Sequence, residues 1–143
     1  MARALFDVNF LIALFLPSHV HNKSAQRWWD DHEDLGWASC PITENGFVRI
    51  VSQPNMGSDL SSAGAIAKLD SAKSRTKHEF WPDSLSLTDT AVFNRQHILS
   101  HKQLTDTYLL ALAKKHQGTL VTFDKGIVIA SVSGANESNL VTL

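Results

Sequence analysis

The chain is short of cysteine, of long apolar runs and of net charge, and each shortage excludes a class of protein. Cys40 is the single cysteine among 143 residues, so no internal disulfide can form, as is typical of a reducing compartment. No apolar run approaches the roughly 18 residues that a membrane-spanning helix needs, and the start Met-Ala-Arg lacks the apolar region of a secretion signal. We therefore expect a cytoplasmic protein without a membrane segment.

The chain also lacks a linker, an internal repeat and a dense basic run. Its net charge of −1 is unlike that of a strongly basic nucleic-acid-binding protein. Hydrophobic residues make up 43% of the chain and charged residues 19%, which is ordinary for a globular α/β protein. Length and composition together predict one domain that spans residues 1–143.

Short strand-like segments alternate with helical patterns along the whole chain. This alternation is typical of a mainly parallel sheet with helices on both faces, which is a three-layer α/β/α fold. The five predicted strands lie at about residues 2–6, 35–39, 78–81, 119–122 and 139–142.

Turn and capping residues place the helices between these strands. Pro17 ends the first helix, Asn22 is the expected cap of the second, and Pro41 suits the first turn of the third. A last helix is expected to begin with Thr105 as its cap and to end at Gly118. The predicted helices cover about residues 9–16, from 22 onward, from 41 to before Pro54, 59–72, 87–96 and 105–117.

Four acidic residues interrupt apolar stretches. Asp7 and Asp124 each follow a strand-like run, so both are expected at the carboxyl ends of buried strands. Glu44 and Asp106 lie near the starts of helices and share a face with the core-facing residues three and four positions later. In open parallel sheets, ligands collect beyond the carboxyl ends of the strands, where we expect these acids to meet.

Converging buried carboxylates require a counter-charge. An isolated one normally pairs, takes up a proton or binds a metal, so four together indicate a divalent cation. The alternative is local satisfaction, by turn amides at Asp7 and Asp124, by the helix dipole at Asp106, and by Arg49 or a lysine at Glu44. Without the four acids, ten acidic residues face 13 Lys and Arg, and the residual charge of +3 allows a small groove for a polyanion.

The context of these acids resembles that of PIN-domain ribonucleases, and specifically the VapC toxins of bacterial toxin–antitoxin systems. The order of the four segments carries the resemblance, because each segment alone is a common pattern. The matching segments are residues 5–14 around Asp7, 41–49 around Glu44, 104–113 around Asp106 and 120–126 around Asp124.

The resemblance implies a three-layer PIN fold, a homodimer, a cognate VapB-like antitoxin and an endoribonuclease that depends on Mg²⁺ or Mn²⁺. Its substrate would be tRNA or rRNA, with growth inhibition as the result. Asp7 and Asp106 are assigned as the main metal ligands, Asp124 completes the cluster directly or through water, and all three are catalytic together with Glu44. Glu44 would hold a metal-bound water or a second ion.

Other functions and other residues remain as alternatives. The competing functions are a housekeeping PIN-type RNA-processing nuclease, a Mg²⁺-dependent phosphatase with Asp7 as nucleophile, and a noncatalytic PIN-like interaction domain. Asn9 is either a support for a metal ligand or a helix cap, and Thr122 is either such a support or an ordinary strand residue.

The histidines, Cys40 and the tryptophan pair have two interpretations each. His19 with His21, or His97 with His101, are candidate zinc ligands or ordinary surface residues. Cys40 fits a small core or helix-entry position better than a reactive thiol. Trp28 and Trp29 would pack in the core or in a dimer, or else stack on nucleobases.

Overall fold

The computed structural model describes residues 2–143, and the chain forms five strands and five α-helices within that range. The strands are β1 (Ala4–Phe6), β2 (Trp37–Ser39), β3 (His78–Phe80), β4 (Thr119–Thr122) and β5 (Leu140–Thr142). The helices are α1 (Val8–Phe15), α2 (Asn22–His32), α3 (Pro41–Val51), α4 (Ser62–Arg75) and α5 (Leu104–Lys115). All five predicted strands are confirmed, each within two residues of its expected ends.

The sheet is entirely parallel and has the order β3-β2-β1-β4-β5. β1 lies at its centre, where Leu5 pairs with Ala38 of β2 on one side and with Leu120 of β4 on the other. The chain builds outward from β1 to β3, then returns to add β4 on the opposite flank. The direction of winding therefore reverses beside β1, and the carboxyl ends of β1 and β4 flank that point.

Alternate residues of the central strands enter two separate cores. Phe6 and Val121 face a core that includes α1 and residues of α2, α3 and α4. Leu5 and Leu120 face a second core, which is built mainly on α5. A sheet with helices on both faces is the predicted three-layer arrangement, which is thus confirmed. None of the helices within residues 2–143 is both long and apolar enough to span a bilayer.

Two helix starts follow directly from strand ends. Asp7 caps α1 because its carboxylate accepts a hydrogen bond from the Phe10 amide at 2.7 Å. Cys40 is the N-cap of α3 and Pro41 is its first residue, as expected. The Thr43 hydroxyl oxygen accepts from the Cys40 amide at 3.0 Å, so a side chain from the first turn closes that helix end.

The predicted helix at 87–96 is wrong. Residues 86–93 form turns instead, and the Asp89 carboxylate accepts a hydrogen bond from the Ala91 amide at 2.9 Å. Phe93 then forms an antiparallel bridge with Val132 and is buried against α5. Tertiary pairing and turn-forming side chains thus outweigh the helical spacing of the apolar residues.

Three other predicted boundaries are also wrong. α5 begins at Leu104, directly after a short 3-10 turn, so Thr105 lies inside the helix and is not its cap. Asn22 is the first residue of α2, and its side-chain amide donates to the Ala13 carbonyl of α1 at 2.8 Å. α4 starts three residues later than predicted, since Asp59 has a left-handed φ of 57° and the Ser61 hydroxyl caps the helix.

Candidate active site

Asp7 is held rigidly at the carboxyl end of the central strand. Its side chain is 4% exposed. One carboxylate oxygen accepts from the Phe10 amide, and the other accepts from the Thr122 hydroxyl at 2.5 Å. Burial raises the pKa of Asp7, and the negative charge of Asp124 raises it further, while the hydrogen bonds from Thr122 and Phe10 oppose the shift.

Thr122 connects the first and fourth acids. Its hydroxyl donates to Asp7, and its oxygen accepts the Asp124 amide at 2.9 Å. The Asp124 carboxylate in turn accepts from the Gly126 amide at 2.7 Å, which fixes the turn after β4. Asp124 is exposed, whereas Thr122 is fully buried. The last residue of β4 therefore supports two acids on neighbouring strands, which agrees with the interpretation of Thr122 as a support for the ligands.

Asp106 and Asp124 line the same concavity, and each shifts the pKa of the other. Burial raises the pKa of Asp106 to about 7, with further increases from its hydrogen bond to Asp124 and from the charges of Asp7 and Asp124. The same hydrogen bond, together with the Gly126 amide, lowers the pKa of Asp124. Both carboxylates line a concavity of about 220 Å³, together with Lys102 and Gln103. We call Asp7, Asp106 and Asp124 the aspartate group.

Glu44 makes its contacts with a different set of side chains. The Ser39 hydroxyl donates to Glu44 Oε2 at 2.6 Å, and the Lys73 ammonium forms an ion pair with the same oxygen. The His78 Nε2 lies 2.8 Å from the Ser39 Oγ. Because that hydroxyl already donates its proton to Glu44, the imidazole is the donor in this second bond. We call Glu44, Ser39, Lys73 and His78 the Glu44 network.

A neutral His78 is consistent with this direction of donation. Burial lowers the pKa of His78 to about 4, and the charge of Lys73 contributes to the shift. The neutral imidazole with its proton on Nε2 donates to Ser39, and Ser39 donates to the carboxylate. Glu44 is therefore satisfied by a lysine, which is the local alternative that the sequence left open.

The aspartate group has the donor chemistry of a magnesium site but not a closed cage. Among residues 2–143, no three His, Cys, Asp or Glu side chains form a group that could hold an ion as they stand. Mg²⁺ is commonly bound by one or two carboxylates and completes its shell with water and substrate phosphate. Burial raises the pKa of Asp7 and Asp106, and the negative charge of Asp124 raises both further, so a bound cation would favour their ionised forms. Both properties fit a divalent ion that is shared with substrate.

Asn9 makes no recognised side-chain hydrogen bond to a carboxylate among residues 2–143, and Trp28, Trp29 and Cys40 pack in or against the two cores. Asn9 is exposed in the first turn of α1, where Asp7 is the cap. Trp28 and Trp29 pack edge-on against Phe6, with centroid distances of 5.9 and 6.0 Å, which confirms their core interpretation. Cys40 is buried at the entry to α3, and burial raises the pKa of its thiol.

Neither histidine pair finds a third ligand within residues 2–143. His19 Nδ1 accepts a hydrogen bond from the His21 amide at 3.0 Å, which occupies one of its two nitrogens. His97 and His101 lie in separate 3-10 turns and not on one helical face. The zinc interpretation therefore has no support from the arrangement of the histidines.

Sequence reasoning missed the partners of Glu44. Ser39, Lys73 and His78 come from β2, α4 and β3, and no spacing rule relates them. The available signal was the register of the parallel strands, because Trp37 pairs with His78 and Ser39 with Phe80. A second signal was local. Ser39 ends its strand two residues before Pro41, and Glu44 lies in the first turn of the helix that follows, so a hydroxyl donor could have been expected near Glu44.

Comparison with known proteins gives consistent matches along the chain. A family model described as PIN domain matches residues 4–133. Ribonuclease VapC44 of Mycobacterium tuberculosis is 48% identical over 141 residues, which cover 99% of each chain. Ribonuclease VapC39 of the same organism is 43% identical over 135 residues, which cover 94% of this chain and 97% of the relative. Ribonuclease VapC38 is 40% identical over 125 residues, with coverages of 87% and 86%.

Proposed function

We propose that this chain, which belongs to the PIN-domain family and to its VapC branch, is an endoribonuclease and the toxin of a VapBC-type toxin–antitoxin system. The observation that carries the proposal is the aspartate group beside the reversal point of a parallel sheet, where burial and the charge of Asp124 raise the pKa of both Asp7 and Asp106. A site of this kind suits a reaction at a phosphodiester, whose negative charge needs a cation.

The aspartate group would hold Mg²⁺ or Mn²⁺. Such an ion, when bound, neutralises phosphate charge and makes water more acidic. Asp7 is pre-oriented for this role because the Phe10 amide and the Thr122 hydroxyl fix both of its oxygens. Asp124 is fixed on one side by the Gly126 amide. The ligands therefore need little rearrangement of the backbone.

Two of the proposed ligands and Glu44 have further roles in the reaction. The Asp106 and Asp124 pair can hold one proton between them, and it would release that proton when a cation binds. Glu44 receives both of its contacts on Oε2. Its other oxygen is the one that we assign to orienting a water molecule for attack on phosphorus.

The proposed partners are RNA, a second copy of the chain and a small VapB-like antitoxin, in the cytoplasm. An antitoxin segment with Arg or Lys would place positive charge among the aspartates and compete with RNA. Such a segment would fold on binding and cover the helix pair α1 and α2, where Trp28 and Trp29 are partly exposed. tRNA and rRNA are the proposed targets, because their cleavage would stop translation and growth.

The first experiment measures RNA cleavage by the purified protein in Mg²⁺ or Mn²⁺. We expect cleavage with either metal and none in EDTA. An internal cut in a substrate blocked at both ends would establish an endonuclease. A trapped phosphoaspartate at Asp7, with no RNA cleavage, would instead favour the phosphatase alternative.

The second experiment tests the toxin role by inducible expression in a bacterial host. We expect growth arrest when the chain is expressed alone and normal growth when the protein encoded immediately upstream is expressed with it. Harmless expression of a soluble, active enzyme would contradict the toxin proposal. It would leave a housekeeping RNA-processing nuclease as the better explanation.

A further inference from the structure

Three aromatic rings form a stack that leads from the core to the surface beside the aspartate group. Phe10 is fully buried, Phe123 is half-buried and His21 is exposed. The Phe10 and Phe123 rings lie 5.6 Å apart at an interplanar angle of 23°. The Phe123 and His21 rings lie 4.6 Å apart at 20°. We call these residues the ring stack.

The ring stack is tied to the carboxylates through the backbone at two points. Phe123 lies between Thr122 and Asp124 in the chain, and both neighbours take part in the hydrogen bonds of the aspartate group. The Phe10 amide is the donor to Asp7. A molecule that rests on the outer end of the stack is therefore placed relative to the acids by rigid elements, namely the end of β4 and the first turn of α1.

His21 is presented to solvent in a fixed orientation. Its amide donates to His19 Nδ1 in the connection between α1 and α2, which orders the backbone there. One face of the His21 imidazole packs on the Phe123 ring. Its other aromatic neighbour is His19, which is tilted by 42° at 5.8 Å, so the ring has no parallel partner on its outer side. An ordered, exposed ring loses little conformational freedom when a ligand stacks on it.

We propose that His21, supported by Phe123, is the platform on which a nucleobase next to the scissile phosphate stacks. This inference rests on the proposed ribonuclease activity and names a binding residue for it. Stacking tolerates any base because every base has a π-face, so the platform would supply affinity and position without selecting a sequence. It would also place the adjacent phosphate near Asp124 and Asp7.

Binding is measured in the full-length Asp106→Asn protein, so that cleavage does not interfere. The probe is a fluorescein-labelled single-stranded oligoribonucleotide of about 12 nucleotides, which matches the usual length of single-strand sites. We expect His21→Ala to weaken binding by about 5-fold or more, the loss typical of one stacked base. The dependence of the affinity on salt should not change, since no phosphate contact is removed.

Two substitutions at the same position separate stacking from charge. His21→Trp should restore the affinity, because the indole offers a larger ring to the base. His21→Lys should restore little, because it adds charge without a ring. His97→Ala is the matched control, since His97 is exposed but has no ring partner, and it should bind like the parent.

A fluorescent base reports the stack directly. The oligoribonucleotide carries 2-aminopurine at each position in turn, and its emission should be quenched at one position in the parent and recover in His21→Ala. An abasic nucleotide at that position should weaken binding to the parent but not to His21→Ala. In the active enzyme, His21→Ala should raise KM more than it lowers kcat.

The inference would be overturned if His21→Ala bound RNA like the parent, or if His21→Lys restored affinity as well as His21→Trp. Unchanged RNA binding together with a weakened complex with the upstream-encoded protein would assign the ring stack to a protein interface, and would equally overturn it. These results differ from a failure of the proposed function, which would appear as no RNA cleavage by the unmodified protein. No RNA binding by the parent would count against both.

Discussion

The aspartate group and the Glu44 network lie near the carboxyl edge of the same sheet, and their carboxylates are stabilised in opposite ways. The Glu44 network contains its own cation, Lys73, and a chain of donors that ends on the carboxylate. Within residues 2–143, the aspartate group has hydrogen-bond donors but no ion-paired cation, and burial together with the charge of Asp124 raises the pKa of Asp106 and Asp7. The difference indicates that the aspartates, unlike Glu44, depend on a cation from outside the chain.

The largest expected effect is the loss of RNA cleavage in Asp106→Asn. This change removes a charge that we assign to metal binding, and rates should fall by at least about 100-fold. The measurement is the initial rate on a defined RNA in Mg²⁺. Asp59→Asn is the matched control, because Asp59 is exposed and its φ of 57° suits asparagine. Cleavage by Asp106→Asn at the unmodified rate would refute the site assignment.

Metal should stabilise the folded protein through the aspartate group alone. Binding to the native state at 100 times Kd adds about 2.7 kcal/mol, which corresponds to a Tm increase of about 5 °C or more. Calorimetric melting with and without Mn²⁺ measures this shift. Glu44→Gln should keep the shift, since Lys73 already pairs with that acid, whereas Asp7→Asn should lose most of it. An equal loss in both variants would remove the distinction between the two groups.

Breaking the ion pair of the Glu44 network should have a smaller effect. Lys73→Met leaves a half-buried carboxylate with Ser39 as its hydrogen-bond donor and should cost about 1 kcal/mol in the free energy of unfolding. Urea denaturation measures it, and Lys68→Met on the exposed side of α4 is the control. The cost should disappear in the Glu44→Gln background. Persistence of the full cost there would mean that Lys73 stabilises α4 by packing.

The smallest expected effect is a pH dependence from His78. Its pKa in the folded protein is about 4, below the ordinary 6.5, so the unfolded chain takes up a proton first as the pH falls. The contribution of His78 to stability is therefore complete above pH 6.5 and is lost between about pH 6.5 and 4. The urea midpoints of the unmodified protein and of His78→Gln are measured at pH 7 and at pH 5. The carboxylates titrate in both proteins, so a change with pH in the difference between the two midpoints reports His78. An unchanged difference would contradict it.

The sequence predicted the elements that local chemistry determines. Asp7 and Asp124 were placed correctly at strand ends because each follows an apolar run, and a charged residue after such a run marks the end of a buried strand. Pro41 located α3 because its ring suits the first turn of a helix. In the same way, the fold class followed from the alternation of strands and helices.

The errors arose where distant residues decide the local structure. The segment 87–96 has helical spacing, but it forms turns and pairs through Phe93 with Val132, 39 positions later, in place of a helix. The partners of Glu44 are distributed over β2, α4 and β3, and only the strand register brings them together. Thr105 failed as a cap because a preceding 3-10 turn starts the helix one residue earlier.

The hydrogen bond from Thr122 to Asp7 joins residues 115 positions apart, and this separation has a consequence for synthesis. The central strand emerges from the ribosome well before its neighbour β4 and the turn that carries Asp124. A nascent chain therefore holds Asp7 and Glu44 without the rest of the site. For an enzyme proposed to attack the RNA of the translation machinery, the parallel topology delays assembly of the carboxylates until β4 has been synthesised and has paired with β1.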